Sequence, residues 1–357
     1  MVAELSEWSQ YLSVPIDPQA VEDRRTQCDA AFRDQQDNLI KCYRAFKPKT
    51  IACMGAGCLT DIPIDIFLRG GSRVALIDWI PRITELGFQR DLIRREGNKY
   101  ACLVCDVETC PEQVCQGFAK SHSRRGGVCD NFRLSDNPSC LCAGYQAGSL
   151  PLFLTAEVTQ GRAGQFAQRM TAAALTCDTA VQCFQKAIDI CHDCADIHEE
   201  LPLPTGSIDL VTSSMVVSQF EYEPYGFFSK LLARRYGADA LLHDTALIPL
   251  METLRTKLFE LLMDAHLSEI YRVVNKDQGK VYFSVELFSS QPQLEKDQYF
   301  LVQGMPQVLE KLRTLFLFDF SVIPLQRAYR RTKMGTQASI IQSYVLTPIP
   351  AACKDNP

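Results

Sequence analysis

The sequence contains no uncharged apolar run of the roughly 20 residues that a membrane-spanning helix requires. Its first residues, Met1-Val2-Ala3-Glu4-Leu5-Ser6-Glu7, lack the basic start and apolar stretch of a secretory signal. A cytoplasmic location with no membrane association is the expectation. A basic surplus is missing too: 37 Lys and Arg stand against 42 Asp and Glu, a net charge of −5. That balance argues against a general nucleic-acid binder, because neutralising phosphates takes an excess of cations on one face. The short basic stretches Arg124-Arg125 and Arg330-Arg331-Thr332-Lys333 read as solvated loops. No GxxxxGK[ST] occurs, which removes the P-loop route to ATP. Internal repeats and long low-complexity tracts are lacking as well.

What is present is a chain of 357 residues, 46% hydrophobic and 22% charged. Such a balance buries a real core and leaves room for one large domain with insertions or two smaller ones. Residues 18–46 carry Val21, Cys28, Phe32, Leu39, Cys42 and Phe46 at helical spacings and predict a long amphipathic helix. Pro48 ends it. Thr50-Ile51-Ala52-Cys53-Met54 then predicts a buried strand that runs into the loop Gly55-Ala56-Gly57-Cys58. Thr60-Asp61-Ile62-Pro63 suggests a capped helix start with Pro just inside it, and Arg73-Val74-Ala75-Leu76-Ile77-Asp78 a second strand. Strand, glycine loop, helix and strand make a βαβ unit, the building block of parallel sheets.

Further on, residues 81–96 read as helix and Tyr100–Asp106 as a third strand. Ser207–Thr212 reads as a fourth, and a helix over Leu250–Val274 leads to a fifth at Lys280–Glu286. A helix near Pro306–Leu315 precedes two strands, Phe318–Pro324 and Ser339–Leu346, joined by an open loop from Gln326 to Gln337. About a hundred residues separate strands three and four, far more than an ordinary connection. Residues 109–203 are therefore expected to be an insertion, Cys-rich in its first half and helical over Ala163–His198. The expected division is an N-terminal helical cap at 1–46, a catalytic domain from 47–108 and 204–357, and the insertion between its halves.

The sharpest chemical signal is Gly55 with Gly57. Glycine lets the backbone turn tightly at a strand end and lets a ligand approach the main chain. The following helix aims its free N–H groups at the same place. Asp78, 21 residues beyond Gly57 at the end of the next strand, is placed to accept hydrogen bonds from ribose hydroxyls. A dinucleotide fingerprint would need a third glycine at position 60, where Thr60 stands, so a nucleoside without a pyrophosphate fits better.

With these motifs in this order, the sequence resembles the class I S-adenosylmethionine-dependent methyltransferase superfamily over residues 47–108 and 205–347. The resemblance implies a Rossmann-like three-layer α/β sandwich. Its seven-stranded, mostly parallel sheet would end in an antiparallel hairpin. The family closes its first strand with an acidic residue and x-Gly-x-Gly-x-Gly; here Cys53 stands at the acidic position and Leu59 at the third glycine. By resemblance, Cys53, Gly55, Ala56 and Gly57 form the cofactor loop, and Asp61 or main chain takes over the methionine contact. Asp78 would bind the ribose and Trp79 pack on the adenine. Asp106 and its neighbour Val107 would meet the adenine edge, and Ser213, on the fourth strand, would lie near the reactive methyl.

On the acceptor side, Ser218-Gln219-Phe220-Glu221-Tyr222-Glu223-Pro224-Tyr225 puts aromatics beside carboxylates, which suits an aromatic or cationic small molecule. Glu221 and Tyr222 are catalytic candidates there, set against a plain helix start with solvated acids. His243 is a candidate base, set against a packed histidine; His266 reads as structural. Eleven of the sixteen cysteines lie between 102 and 194. In a reducing compartment these are free buried thiols, or ligands to a structural zinc drawn from Cys105–Cys142 or from Cys191, Cys194 and His198. No catalytic metal is expected. The expected activity is in-line methyl transfer to a small-molecule acceptor. The alternatives are aminopropyl or aminocarboxypropyl transfer on the same fold, or a scaffold without turnover.

Overall fold

A computed structural model of the chain describes residues 7–12, 18–79, 84, 151–238, 241, 244–290, 299–302, 304–319, 326–332 and 335–350. Helix α1 (Glu7–Leu12) precedes the long α2 (Pro18–Phe46). In the second half of α2, Leu39, Cys42 and Tyr43 are buried one turn apart, the stripe that faces the sheet. Lys47 then takes a left-handed φ of 47° and Pro48 stops the helix. Strand β1 (Thr50–Met54), α3 (Ile64–Arg69) and β2 (Arg73–Asp78) follow, both strands with the predicted bounds. Pro63 stands at the N-cap of α3 and no side chain caps it, so the Thr60–Pro63 stretch starts the helix three residues later than its hydroxyl suggested.

The strand beside β2 is β3 (Leu152–Thr155), paired in parallel from Ala75↔Leu152 to Asp78↔Thr155. It comes from the stretch expected to be an insertion. The strand expected at Tyr100–Asp106 lies outside the described residues. A run of three apolar residues after Pro151, Leu152-Phe153-Leu154, carries no periodicity, so composition alone did not mark it. Helices α4 (Arg162–Thr176) and α5 (Ala180–Asp193) follow, two helices where one helical stretch was read. Thr179 separates them by opening a capping box with Gln182.

The remaining elements are β4 (Leu210–Ser214), α6 (Tyr222–Tyr236), α7 (Ile248–Val273) and β5 (Lys280–Ser290), then β6 (Tyr299–Leu301), α8 (Met305–Leu315), β7 (Phe316–Asp319), β8 (Gln326–Thr332) and β9 (Gly335–Pro348). The supposed open loop after residue 326 is thus β8, laddered to β9 from Gln326↔Ile341 to Thr332↔Gly335. In the sequence, Arg327, Arg330 and Arg331 break the apolar pattern by which a strand is read.

The molecule is α/β with one mixed sheet. Seven strands run in the order β3-β2-β1-β4-β5-β9-β7, while β6 adds to β5 and β8 to β9. From β3 to β5 all pairings are parallel, and β9 runs against both β5 and β7. Alternation along β1 sorts the core. Ala52 and Met54 pack with α4, α5, α7 and α8 on one face, while Ile51 and Cys53 pack with α2 and α3 on the other. At the far end of the strands, Asp209 accepts the N–H groups of Lys49 (2.9 Å) and Thr50 (3.1 Å), pinning β4 to β1. The chain departs in opposite directions on either side of the β1–β4 pair. In open α/β sheets ligands bind outside the carboxyl ends of the strands at such a switch point.

Candidate functional site

The loop after β1 lies at that switch point. Gly55, Gly57 and Leu59 all have positive φ, 63°, 50° and 59°, so the backbone turns left-handed three times in five residues. A Cβ on Gly55 would sit 2.7 Å from Val216 Cγ2, which brings the β1 loop against the turn after β4. Among the described residues, a Cβ on Gly57 would meet the carbonyl of Gly55 at 3.8 Å, an ordinary contact. Leu59 holds its left-handed backbone with its side chain completely buried, among Leu39, Phe67 and other residues of the α2–α3 face.

Asp78, at the end of β2, accepts the Gly57 N–H at 2.8 Å, and Ala56 N–H bonds Ile77 O at 3.0 Å. Strands β1 and β2 are thereby locked at their carboxyl ends, with one carboxylate oxygen committed to the glycine loop. Gly55, Ala56, Gly57 and Asp78 are brought together as the sequence suggested. Cys53 is not part of that surface. It is fully buried, its thiol bonded to Thr212 and pushed up to about 12 by burial, so it is a neutral core group.

Asp61, just past the loop, has a deeply placed carboxyl in a partly exposed residue. Burial pushes it up to about 6, against hydrogen bonds from Ser214 and its own backbone that favour the charged form. Ser214 Oγ lies 2.8 Å from Ser284 Oγ and 3.2 Å from Gln35 Oε1, so α2 reaches the end of β4 through this cluster. Gln36 adds a bond to Thr60 O at 2.5 Å.

Ser213 points to the opposite face. Its hydroxyl is 2.8 Å from His266 Nε2, and His266 Nδ1 is 3.2 Å from Val158 O. A carbonyl only accepts, so Nδ1 carries the proton and Ser213 donates to Nε2. The pair looks like half of a hydrolytic triad. Both residues are nevertheless fully buried, and burial holds the imidazole down to about 4. This neutral histidine ties α7 to β4 and to the turn after β3, the structural role read for it.

Beyond β3, Glu157 accepts the N–H groups of Ala163 (2.7 Å) and Gly164 (3.0 Å) at the start of α4, where the helix dipole favours an anion. Burial raises its carboxyl above the usual range. Trp79 lies partly buried with Trp8 edge-on to it, ring centroids 5.2 Å apart. Trp8 stacks on Tyr11, whose hydroxyl donates to Glu223 at 2.9 Å. Helix α1 thus covers the end of β2. Six residues are too few to show periodicity, so the sequence did not reveal this contact.

Two of the catalytic candidates, Glu221 and Tyr222, stand at the start of α6. Glu221 is held by Arg255 at 2.5 Å, and Tyr222 is 71% exposed at the start of α6. His243, Asp106, Val107 and the cysteines from Cys102 to Cys142 lie outside the described residues. Among the described residues no three His, Cys, Asp or Glu side chains gather as a metal site. Cys191 and Cys194 are buried apolar neighbours of the core, with burial pushing the Cys191 thiol up to about 12, and His198 turns to Gln160 at 3.3 Å. Also among the described residues, no helix is long and apolar enough to cross a membrane.

Compared with known proteins, the chain matches no family model and no curated sequence.

Proposed function

We propose that this chain is an S-adenosylmethionine-dependent methyltransferase of the Rossmann-like class I type, acting on a small-molecule acceptor. The observation that carries the reading is the Gly57–Asp78 hydrogen bond of 2.8 Å beside the β1–β4 switch point. The sheet is compatible with it: the parallel strands β3-β2-β1-β4-β5 are followed by the antiparallel β9 and β7. Glycine at Gly57, where the nearest described neighbour of a Cβ is 3.8 Å away, suits a nucleoside lying close to the backbone. When bound, the cofactor supplies an activated methyl group for in-line displacement.

The chain's own residues have the matching tasks. Asp78, positioned by Gly57, accepts ribose hydroxyls, and Trp79 offers an apolar surface for the base. With Leu152–Thr155 as the third strand, Glu157 is the carboxylate that follows it, already anchored on the α4 N-terminus. The acceptor side falls to the ends of β4 and α6, where Arg255 fixes Glu221.

Calorimetry with S-adenosylmethionine and S-adenosylhomocysteine tests the reading. Asp78→Asn keeps an oxygen for Gly57 but weakens hydrogen bonds from ribose hydroxyls, and a roughly tenfold loss of affinity is expected. Heat in neither titration of the wild type sinks the proposal. A labelled-methyl screen over metabolites then identifies the acceptor; donor binding with no transfer in any mixture favours the scaffold.

A further inference from the structure

Away from the glycine loop, two thiols meet where α4, α5 and α6 come together. Cys177 ends α4, its N–H bonded to Ala173 O, and Cys183 stands near the start of α5, behind the Thr179 capping box. Tyr236, the last residue of α6, donates its hydroxyl proton to Cys177 O at 2.8 Å. With that proton committed, the 3.5 Å contact between Cys183 Sγ and the Tyr236 hydroxyl is made by the thiol donating to the hydroxyl oxygen. The Cys183 proton is then committed too, so in the hydrogen bond between the two thiols Cys177 is the donor. The result is a closed ring: Cys177 thiol to Cys183 sulfur, Cys183 thiol to Tyr236 oxygen, Tyr236 hydroxyl to the Cys177 carbonyl. The two sulfurs differ in access. Cys183 is 0% exposed, whereas Cys177 keeps 9% of its surface, between the exposed Thr176 and Asp178. Burial and the neighbouring thiol push Cys177 up to about 11, while the charges of Arg235 and Lys186 favour its thiolate.

We propose that Cys177 and Cys183 are a reversible redox site, at which a peroxide oxidises Cys177 and Cys183 resolves the product as an intrachain disulfide. The Cys177 thiolate attacks one oxygen of hydrogen peroxide; the O–O bond breaks, hydroxide leaves, and Cys177 becomes a sulfenic acid. The Cys183 sulfur, giving up its proton, then attacks the Cys177 sulfur; the S–O bond breaks, the S–S bond forms, and the oxygen leaves as water. Two thiols and one peroxide become one disulfide and two waters. The division of labour follows from exposure. The thiol with an open edge meets the oxidant, and its buried partner, already in sulfur contact, needs no access to solvent. A small oxidant suits the narrow surface that Cys177 presents. Oxidation removes both S–H donors, so Tyr236 keeps its bond to the Cys177 carbonyl and the end of α6 loses its tie to α5. The inference stands independently of the methyltransferase reading.

Trypsin leaves both cysteines, and no others, in the single peptide Met170–Lys186, so mass spectrometry reads the site directly. The folded full-length chain is treated with excess hydrogen peroxide, quenched, labelled with N-ethylmaleimide in denaturant and digested. The expected peptide is two hydrogens lighter than the reduced form and carries no maleimide. After dithiothreitol it takes up the label at both cysteines. In Cys183→Ser the sulfenic acid has no partner, and dimedone captures it on Cys177. In Cys177→Ser the peptide stays unoxidised, because Cys183 is closed to the oxidant. The wild-type result decides the matter even where a variant fails to fold. Full maleimide labelling of the treated wild type overturns the proposal, as does a disulfide that forms only when urea is added before the peroxide. So does a dithiothreitol-resistant sulfinic acid on Cys177 with Cys183 still labelled, or dimedone capture on Cys183 in Cys177→Ser.

Discussion

Gly57 and Asp78 are 21 residues apart in sequence and 2.8 Å apart from N–H to carboxylate, closing the ends of adjacent parallel strands with one hydrogen bond. A strand-end carboxylate left to solvent adopts many rotamers. One held by a loop N–H keeps a single orientation.

The two glycines of the loop differ in what they protect. Gly55→Ala combines a left-handed backbone with a Cβ at 2.7 Å from Val216, and a loss of about 2–4 kcal/mol is expected from strain plus overpacking. Gly57→Ala meets no such neighbour, so about 1–2 kcal/mol of backbone strain remains. Urea unfolding of both variants checks the order; a smaller loss at Gly55 would contradict the packing of the β1 loop on Val216.

Leu59→Gly separates strain from burial. Glycine relieves a left-handed leucine by about 1 kcal/mol, but emptying the Leu59 site costs about 2–5 kcal/mol, so burial wins. The variant should unfold at lower urea than the wild type. Higher stability would mean that backbone strain, not packing, dominates this turn.

His266 sets an acid-sensitive tie. Its imidazole titrates near 4 in the fold against 6.5 unfolded, so the unfolded chain takes up the proton first. The contribution is present above pH 6.5 and is lost as pH falls through about 4, a total of about 3 kcal/mol. Asp61, raised from 3.8 to about 6, acts in the opposite sense, stabilising the fold on acidification. The informative quantity is the stability of wild type minus His266→Gln, measured between pH 7 and 4. That difference should shrink with acid; a flat difference rejects the buried neutral imidazole.

Cys53 and Cys191 are predicted to be inert in the folded protein. Their thiols are pushed up to about 12 and are 0% and 3% exposed, so little thiolate is present at pH 8. Iodoacetamide labelling followed by peptide mapping should leave both unmodified until denaturant is added. Rapid native labelling of either would remove it from the core.

Local chemistry alone was enough to reveal the first βαβ unit. The bounds of β1 and β2, the helix over 18–46, the one read at 250–274 and found at 248–273, and the nearness of Gly57 to Asp78 follow from apolar runs, glycine and spacing within some thirty residues.

Other features depend on partners distant in sequence. Leu152–Thr155 is a strand because Ala75–Asp78 offers it a parallel edge, and the Arg-rich β8 is a strand because β9 does. Ser213 and Ser214 are adjacent in sequence, but strand alternation sends the first to His266 on one face and the second to Gln35 and Ser284 on the other. Sequence determined that a glycine loop and an acid close two neighbouring strands. Only the tertiary structure decided what meets them there, because Val216 comes against Gly55 from 161 residues further along the chain (216 − 55).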